Sequence, residues 1–85
     1  MIIEEFRDAV AVYRRLRTSG RQVPPGLAYV SSWVTPDMTR CYQVMETDDR
    51  ALLDEWMSLW EGLVEFEVVP VVPSEEAQAG MTTRI

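Results

Sequence analysis

The stretch LAYVSSWVTPDMTRCYQVME, residues 27–46, decides the fold of this chain. Its two halves, Leu27 to Val34 and Thr39 to Glu46, are rich in β-branched and aromatic residues, which favour strands. Between them, TPDMT has the length of a hairpin loop and contains Pro36 and Asp37, two residue types common in turns. The sequence therefore predicts an antiparallel pair of strands here.

A strand and a helix are predicted before this hairpin. The segment MIIEEF favours a short strand because it begins with two isoleucines. A helix then runs from about Asp8 to Ser19, with Asp8 as its N-cap and Gly20 at the C′ position. One continuous helix stays open as the alternative, because five apolar residues of this segment also recur at helical spacing. They are Ile2, Phe6, Val10, Tyr13 and Leu16.

A second helix and a last strand are predicted after the hairpin. Leucines and tryptophans at helical spacing indicate an amphipathic helix from about Asp49 to Glu61, with Asp48 as its N-cap. The alternating segment from Val64 to Val72 predicts the last strand. Pro70 belongs at an edge or a bulge of this strand, because proline cannot donate a ladder hydrogen bond.

The order of these elements, β-α-β-β-α-β, is typical of the ferredoxin-like α+β fold, with two helices on one face of a four-stranded antiparallel sheet. We expect one domain over residues 1–72. Residues 73–85 are expected to form a mostly mobile tail, in which Ser74 could cap one helical turn. Because two helices cover only one sheet face, we expect a homodimer that pairs the bare sheet faces and forms a dimeric α+β barrel.

The composition limits the classes of function. Eight basic against fourteen acidic residues give a net charge of -6, which argues against nucleic acid as a partner. The absence of His and the single Cys remove the usual ligands of haem and zinc and exclude a disulfide within the chain. We therefore expect no cofactor and no metal. No leader or membrane-spanning stretch is evident, so we expect a cytoplasmic protein without membrane contact.

The hairpin also suggests a binding site. If Trp33 lies opposite Cys41, one hairpin face mixes large aromatic side chains with Ser, Cys and Gln, which is typical of small-molecule pockets. Trp56 and Trp60 are four residues apart and point from the second helix toward the sheet. The alternative is that these side chains fill the core or an interface. The candidate pocket residues are Tyr29, Ser31, Trp33, Cys41, Gln43, Trp56 and Trp60.

Four other groups of residues have two interpretations each. Cys41 is expected to be an inert buried thiol rather than a nucleophile, because no His can activate it. The acidic residues between 46 and 49 suit helix capping better than a hard cation. Glu65 and Glu67 are expected to be solvated, with general acid and base work as the alternative. The arginines within residues 7–21 form an exposed helix face or hold an anionic ligand or partner.

Three segments, GLAYVSSWV, RCYQVMETDD and LLDEWMSLWEGLVEFEVVPVV, resemble the small bacterial family named domain of unknown function 3303. The likeness covers roughly residues 10–72, and the first strand looks shortened relative to the family. The resemblance implies the dimeric α+β barrel group, which includes cofactor-independent monooxygenases, small isomerases, haem-using enzymes and ligand-binding proteins. Without His, the haem-using relatives are set aside. Tyr29, Trp33 and Gln43 could take the places of oxygenase side chains by position only.

The function expected from these observations is the binding of a small, partly apolar molecule by a homodimer, without turnover of the molecule. Two alternatives stay open. One is a cofactor-independent monooxygenase or isomerase that acts on a small aromatic or enol compound, for which Gln43, Tyr29 or a Glu would point into an enclosed cavity. The other is a non-catalytic interaction module, for which the paired sheets would leave no gap of ligand size.

Overall fold

Residues 1–84 form four strands and three helices, and the predicted α+β ferredoxin-like fold is confirmed. The computed structural model describes residues 1–84. All strand pairs are antiparallel, in the sheet order β2-β3-β1-β4, so β1 and β3 are the central strands. The elements are β1 (Ile2–Phe6), α1 (Ala9–Ser19), β2 (Ala28–Val34), β3 (Arg40–Glu46), α2 (Arg50–Leu59), β4 (Val64–Val68) and α3 (Ser74–Thr82).

The N-terminal segment is a strand followed by a separate helix, so the alternative of one continuous helix is wrong. β1 pairs with β3 on one side and with β4 on the other. Asp8 caps α1, since its carboxylate accepts the N–H of Ala11 at 3.1 Å. Gly20 ends the helix with a φ of 67°, a left-handed value that favours glycine, and its N–H donates to the Leu16 carbonyl at 2.8 Å.

The bounds predicted for the second half need correction. The N-cap of α2 is Asp49 rather than Asp48, because the Asp49 carboxylate accepts the Ala51 N–H at 2.9 Å. The helix ends at Leu59. β4 ends at Val68, not at residue 72, because the Pro70 nitrogen has no hydrogen to continue the ladder.

The C-terminal segment forms more helix than the single turn predicted from Ser74. α3 extends over nine residues, and all of them are exposed. Glu75 and Glu76 lie in its first turn, where negative charge interacts favourably with the helix dipole. The mobility expected of the tail stays a prediction. No helix of residues 1–84 combines the length and the apolarity needed to cross a membrane.

The hairpin register differs from the prediction, and the turn explains the difference. Thr35 pairs with Arg40, since the Thr35 N–H donates to the Arg40 carbonyl at 2.9 Å. Trp33 therefore lies opposite Tyr42 instead of Cys41. A β-bulge between positions 29 and 31 then shifts the register once more. Because a shift of one residue moves a side chain to the other face, the face predicted for Ser31 and Trp33 is wrong.

The core lies between the sheet and the first two helices. Its buried residues are Ile2, Val12, Leu27, Leu53, Trp56, Trp60 and Val64. The Trp56 ring packs edge-on against Phe66, with the ring centroids 5.7 Å apart. The indole N–H groups of Trp56 and Trp60 both donate to the backbone carbonyl of Arg21, at 2.8 and 3.3 Å. This shared acceptor attaches the loop after α1 to α2.

Replacing Trp56 by Phe should lower the free energy of unfolding by about 1–3 kcal/mol, because it removes one indole donor and leaves a gap in the core. Urea denaturation followed by far-ultraviolet circular dichroism measures the change. Val10→Ala is the control, since Val10 is 66% exposed on α1 and lies outside the core. We expect the control to change stability by less than about 0.5 kcal/mol. Equal effects of the two substitutions would contradict this description of the core.

Candidate functional site

Polar side chains occupy the middle of the sheet face that α1 and α2 cover. Glu4 on β1 lies opposite Cys41 on β3, and Ser32 on β2 lies opposite Gln43 on β3. Cys41 and Gln43 are two residues apart, so they project to the same face of the sheet. Glu4 and Gln43 are the buried polar residues of the described chain, at 7% and 4% exposure. Two polar side chains are therefore placed under a largely apolar layer.

A cavity of about 90 Å³ lies between these polar side chains and the helices. We call it the Glu4 cavity. The volume is enough for roughly six water-sized groups. Most of its walls are apolar or aromatic. The lining residues are Glu4, Phe6, Val12, Tyr13, Leu16, Arg21, Ser32, Val34, Cys41, Gln43, Trp56 and Trp60.

Burial controls the protonation of Glu4. Desolvation raises the pKa of its carboxyl, and the hydrogen bond from Cys41 and the charge of Arg21 oppose this only in part. Within residues 1–84, no arginine forms an ion pair with Glu4. The folded state binds this proton more tightly than the unfolded state. The contribution of Glu4 to the free energy of unfolding is therefore most favourable at low pH, and it is lost as the pH rises through the raised pKa.

Cys41 shares the floor of the Glu4 cavity and is a neutral thiol near neutral pH. Burial is the largest cause that raises its pKa to about 12, followed by the hydrogen bond to Glu4. A thiolate nucleophile needs the opposite environment, with a lowered pKa and exposure to solvent. The structure therefore favours the inert thiol over the nucleophile.

Gln43 offers an amide beside these two groups. Its Nε2 donates to the Sδ atom of Met45 at 3.1 Å. A thioether is a weak acceptor, so a ligand oxygen would be a better partner for this donor. The Gln43 amide is thus a second polar group that could orient a molecule in the Glu4 cavity.

Arg21 lies at the solvent side of the Glu4 cavity, where it is exposed and lines the wall. Its guanidinium stacks on the ring of Tyr29, 4.0 Å from the centroid. The Tyr29 hydroxyl is 2.6 Å from the Ser32 Oγ, so the stacking partner is itself held in place. The positive charge lowers the pKa values of Glu4 and Cys41, while burial raises them more strongly.

Tyr13 is the remaining titratable group on the cavity wall. Desolvation is the largest cause that raises the pKa of its phenol, and the charges of Cys41 and Glu4 add to it. The ring packs edge-on against Phe6, with the centroids 6.1 Å apart. Tyr13 is therefore a neutral hydrogen-bonding group near neutral pH.

The structure brings together four of the seven predicted pocket residues. Cys41, Gln43, Trp56 and Trp60 all line the Glu4 cavity. Tyr29 lies beside it and supports Arg21. The two remaining residues, Ser31 and Trp33, lie on the opposite sheet face and are separated from the cavity by the sheet.

Glu4 and Tyr13 were not among the residues predicted for the site, and Arg21 was predicted only as one of the arginines within residues 7–21 that could hold an anion. A signal for Glu4 was present, because alternation in the first strand puts it on the same face as Ile2 and Phe6. A carboxyl group on the apolar face of a central strand is expected to be buried. No comparable signal placed Arg21 at the cavity, because its position depends on the irregular loop between α1 and β2.

The other predicted groups have structural roles. Glu65 is exposed and pairs with Arg7 at 3.0 Å, and Glu67 is also exposed, in agreement with solvation. Asp49 caps α2, and residues 1–84 contain no cluster of three or more potential metal ligands. Two further depressions, a groove between α2 and β4 of about 590 Å³ and one beside Met1 of about 370 Å³, contain neither of the buried polar side chains.

Cys41 should react with iodoacetamide at pH 8 at least ~100-fold more slowly in the folded protein than in the chain unfolded by urea, because the thiolate is the reacting form. Mass spectrometry of the alkylated product measures both rates. The chain has one Cys, so the signal has a single source. Comparable rates in the two states would mean that the thiol is not held neutral by its burial.

Comparison with known families identifies one match. The family model for a domain of unknown function, DUF3303, matches residues 1–85. Neither the curated proteins nor the solved structures give a match to the chain. The family match extends over the whole chain, beyond the residues 10–72 that carry the resemblance in the sequence. The chain therefore belongs to the DUF3303 family, whose description assigns no activity.

Proposed function

We propose that this protein binds a small, partly apolar molecule in the Glu4 cavity. The observation that carries the proposal is the buried Glu4 carboxyl, which faces a largely apolar cavity and forms no ion pair within residues 1–84. Small-molecule sites combine apolar walls with a few polar groups that fix the orientation of the ligand. Glu4 and Gln43 supply the polar groups at this site.

The free energy of burial supports the proposal. Placing a carboxyl in an apolar environment costs stability, and an apolar side chain at this position would avoid the cost. A group with a raised pKa in a cleft is a candidate functional group for this reason. A bound molecule with a polar atom would give Glu4 a second hydrogen-bond partner beside Cys41 and would exclude water from the cavity.

Phenol is a suitable first probe, because its single ring approaches the size of the cavity and its hydroxyl can contact Glu4 or Gln43. In a Trp33→Phe background the two remaining tryptophans line the cavity, so their fluorescence reports on its contents. We expect a saturable change with a dissociation constant on the order of millimolar.

The control for this titration is a pair of substitutions on α1. Val12→Phe fills the cavity and should abolish the response, whereas Val10→Phe changes an exposed side chain and should retain it. If phenol, benzyl alcohol, benzoate and benzylamine all fail to give a saturable response in the unfilled protein, the proposed function is wrong. An equal response of the two variants would also contradict it.

Glu4 also makes proton transfer a second candidate function. A carboxyl with a raised pKa can act as a base near neutral pH, as an isomerase requires. If a bound ketone exchanges its α-hydrogens for deuterium faster with the wild-type protein than with Glu4→Gln, the protein is an enzyme of this class. No exchange above the rate in buffer would restrict the function to binding.

The homodimer is the second part of the proposal, with the partner on the sheet face away from α1 and α2. Trp33 on this face is 58% exposed, next to Tyr42 on β3. Arg40 pairs with Glu5 at 3.2 Å, which reduces the charge that a second copy would have to desolvate. An exposed tryptophan on a sheet face is a typical centre of an interface.

The unpaired Cys41 agrees with a cytoplasmic location, which stays a prediction.

Sedimentation velocity tests the pairing. We expect the wild type to sediment as a dimer at micromolar concentration and Trp33→Glu to sediment as a monomer, because the substitution places a charge in the interface. Val10→Glu is the control, since Val10 is 66% exposed on α1 and far from this face. A wild-type monomer, or dissociation by the control alone, would contradict the proposed interface.

A further inference from the structure

The arginines of this acidic protein are distributed unevenly. Residues 9–36 contain four Arg and no Asp or Glu, although the net charge of the chain is -6. These four are Arg14, Arg15, Arg17 and Arg21. Among residues 1–84, ion pairs form instead at Arg7, Arg40 and Arg50. The unpaired arginines therefore create a positive region on α1 and its following loop, beside the Glu4 cavity.

Arg21 is the member of this group that lines the cavity, and both of its ends are held in place. Its backbone carbonyl accepts the indole N–H groups of Trp56 and Trp60. Its guanidinium stacks on Tyr29. In the part of the chain that the structure describes, it has no carboxylate partner within 4.0 Å. A guanidinium that is held in place and has no carboxylate partner can bind an anion through two parallel hydrogen bonds.

We propose that the Glu4 cavity selects small organic monocarboxylates, with the carboxylate on the Arg21 guanidinium and the apolar body between Trp56, Trp60 and the sheet. This inference rests on the proposed function and names its ligand class. The cavity volume of about 90 Å³ takes a short branched chain or part of one ring and leaves the charged group at the solvent side. The positive region at this side attracts anions and repels organic cations.

The other end of the cavity agrees with this orientation. A charged Glu4 on the floor of the cavity would repel a ligand carboxylate bound next to it. The anionic group of the ligand therefore belongs at the solvent side, beside Arg21. The Gln43 amide on the floor suits a neutral polar substituent or an apolar end of the ligand. A neutral ring compound would enter the same cavity without forming an ion pair with Arg21. The positive charge of the unpaired arginines would repel a protonated amine.

The test compares benzoate, benzyl alcohol and benzylamine, which share one ring and differ in charge, in the Trp33→Phe background by tryptophan fluorescence. We expect benzoate to bind about tenfold more tightly than benzyl alcohol, which corresponds to one charge-assisted contact, and benzylamine to bind least. Added salt should weaken benzoate binding selectively. Equal affinities for benzoate and benzyl alcohol would overturn the inference and leave the proposed function intact.

Substitutions of Arg21 test whether its side chain causes the preference for benzoate over benzyl alcohol. Arg21→Gln should reduce benzoate affinity about tenfold, to that of benzyl alcohol, and should leave benzyl alcohol affinity unchanged. Arg21→Lys keeps the charge without the planar fork and should give an intermediate affinity. Arg17→Gln is the matched control, because Arg17 belongs to the positive region without lining the cavity, and we expect less than about a twofold change.

The Arg21 variants should fold, because the indole donors contact the backbone carbonyl and not the side chain of Arg21. Circular dichroism and urea denaturation check this point. If Arg21→Gln does not fold, the ligand series in the Trp33→Phe protein with Arg21 intact and the Arg21→Lys variant still decide the question. Unchanged benzoate affinity in a folded Arg21→Gln variant would overturn the assignment.

Discussion

Two indole N–H groups converge on one backbone carbonyl, and this shared acceptor positions the parts of the site relative to one another. Trp56 in α2 and Trp60 at the C-cap of α2 both line the cavity and donate to the carbonyl of Arg21 in the loop after α1. The contact holds both tryptophans in the cavity wall and fixes the start of the Arg21 side chain. Without it, the loop would have few buried side chains to hold it, and the solvent side of the cavity would have no defined geometry.

The second constraint is the position of Glu4 in the sheet. β1 is a central strand, and the Glu4 side chain on its helix-facing side is buried at 7% exposure. The energetic cost of this burial appears in the raised pKa values of Glu4 and of its neighbour Cys41. Proteins tolerate such costs mainly where a buried polar group is used. The buried Glu4 of β1 therefore supports the proposed binding function.

Much of the fold could be predicted from the sequence, because alternation, capping residues and turn residues agree with one another. The strand and helix before the hairpin are examples, since Asp8 and Gly20 have the roles that their types favour. The hairpin register could not be predicted from alternation alone. It depends on the pairing of Thr35 with Arg40 in the turn and on the bulge near Tyr29, and both require the backbone geometry. Cys41, Gln43 and the two tryptophans could be grouped from the sequence, and the structure places all four along one cavity. The contribution of Arg21 could not be predicted in this way, because it comes from an irregular loop.

The fold holds the Glu4 carboxyl in a cavity whose environment favours its neutral form. A carbon-13 NMR titration of the Glu4 side-chain carboxyl measures this directly in the wild-type protein. We predict a titration midpoint above 4.5, the ordinary value for glutamate, because burial disfavours the charged form. A midpoint at or below 4.5 would mean that water or a cation reaches Glu4 and that burial does not control its protonation.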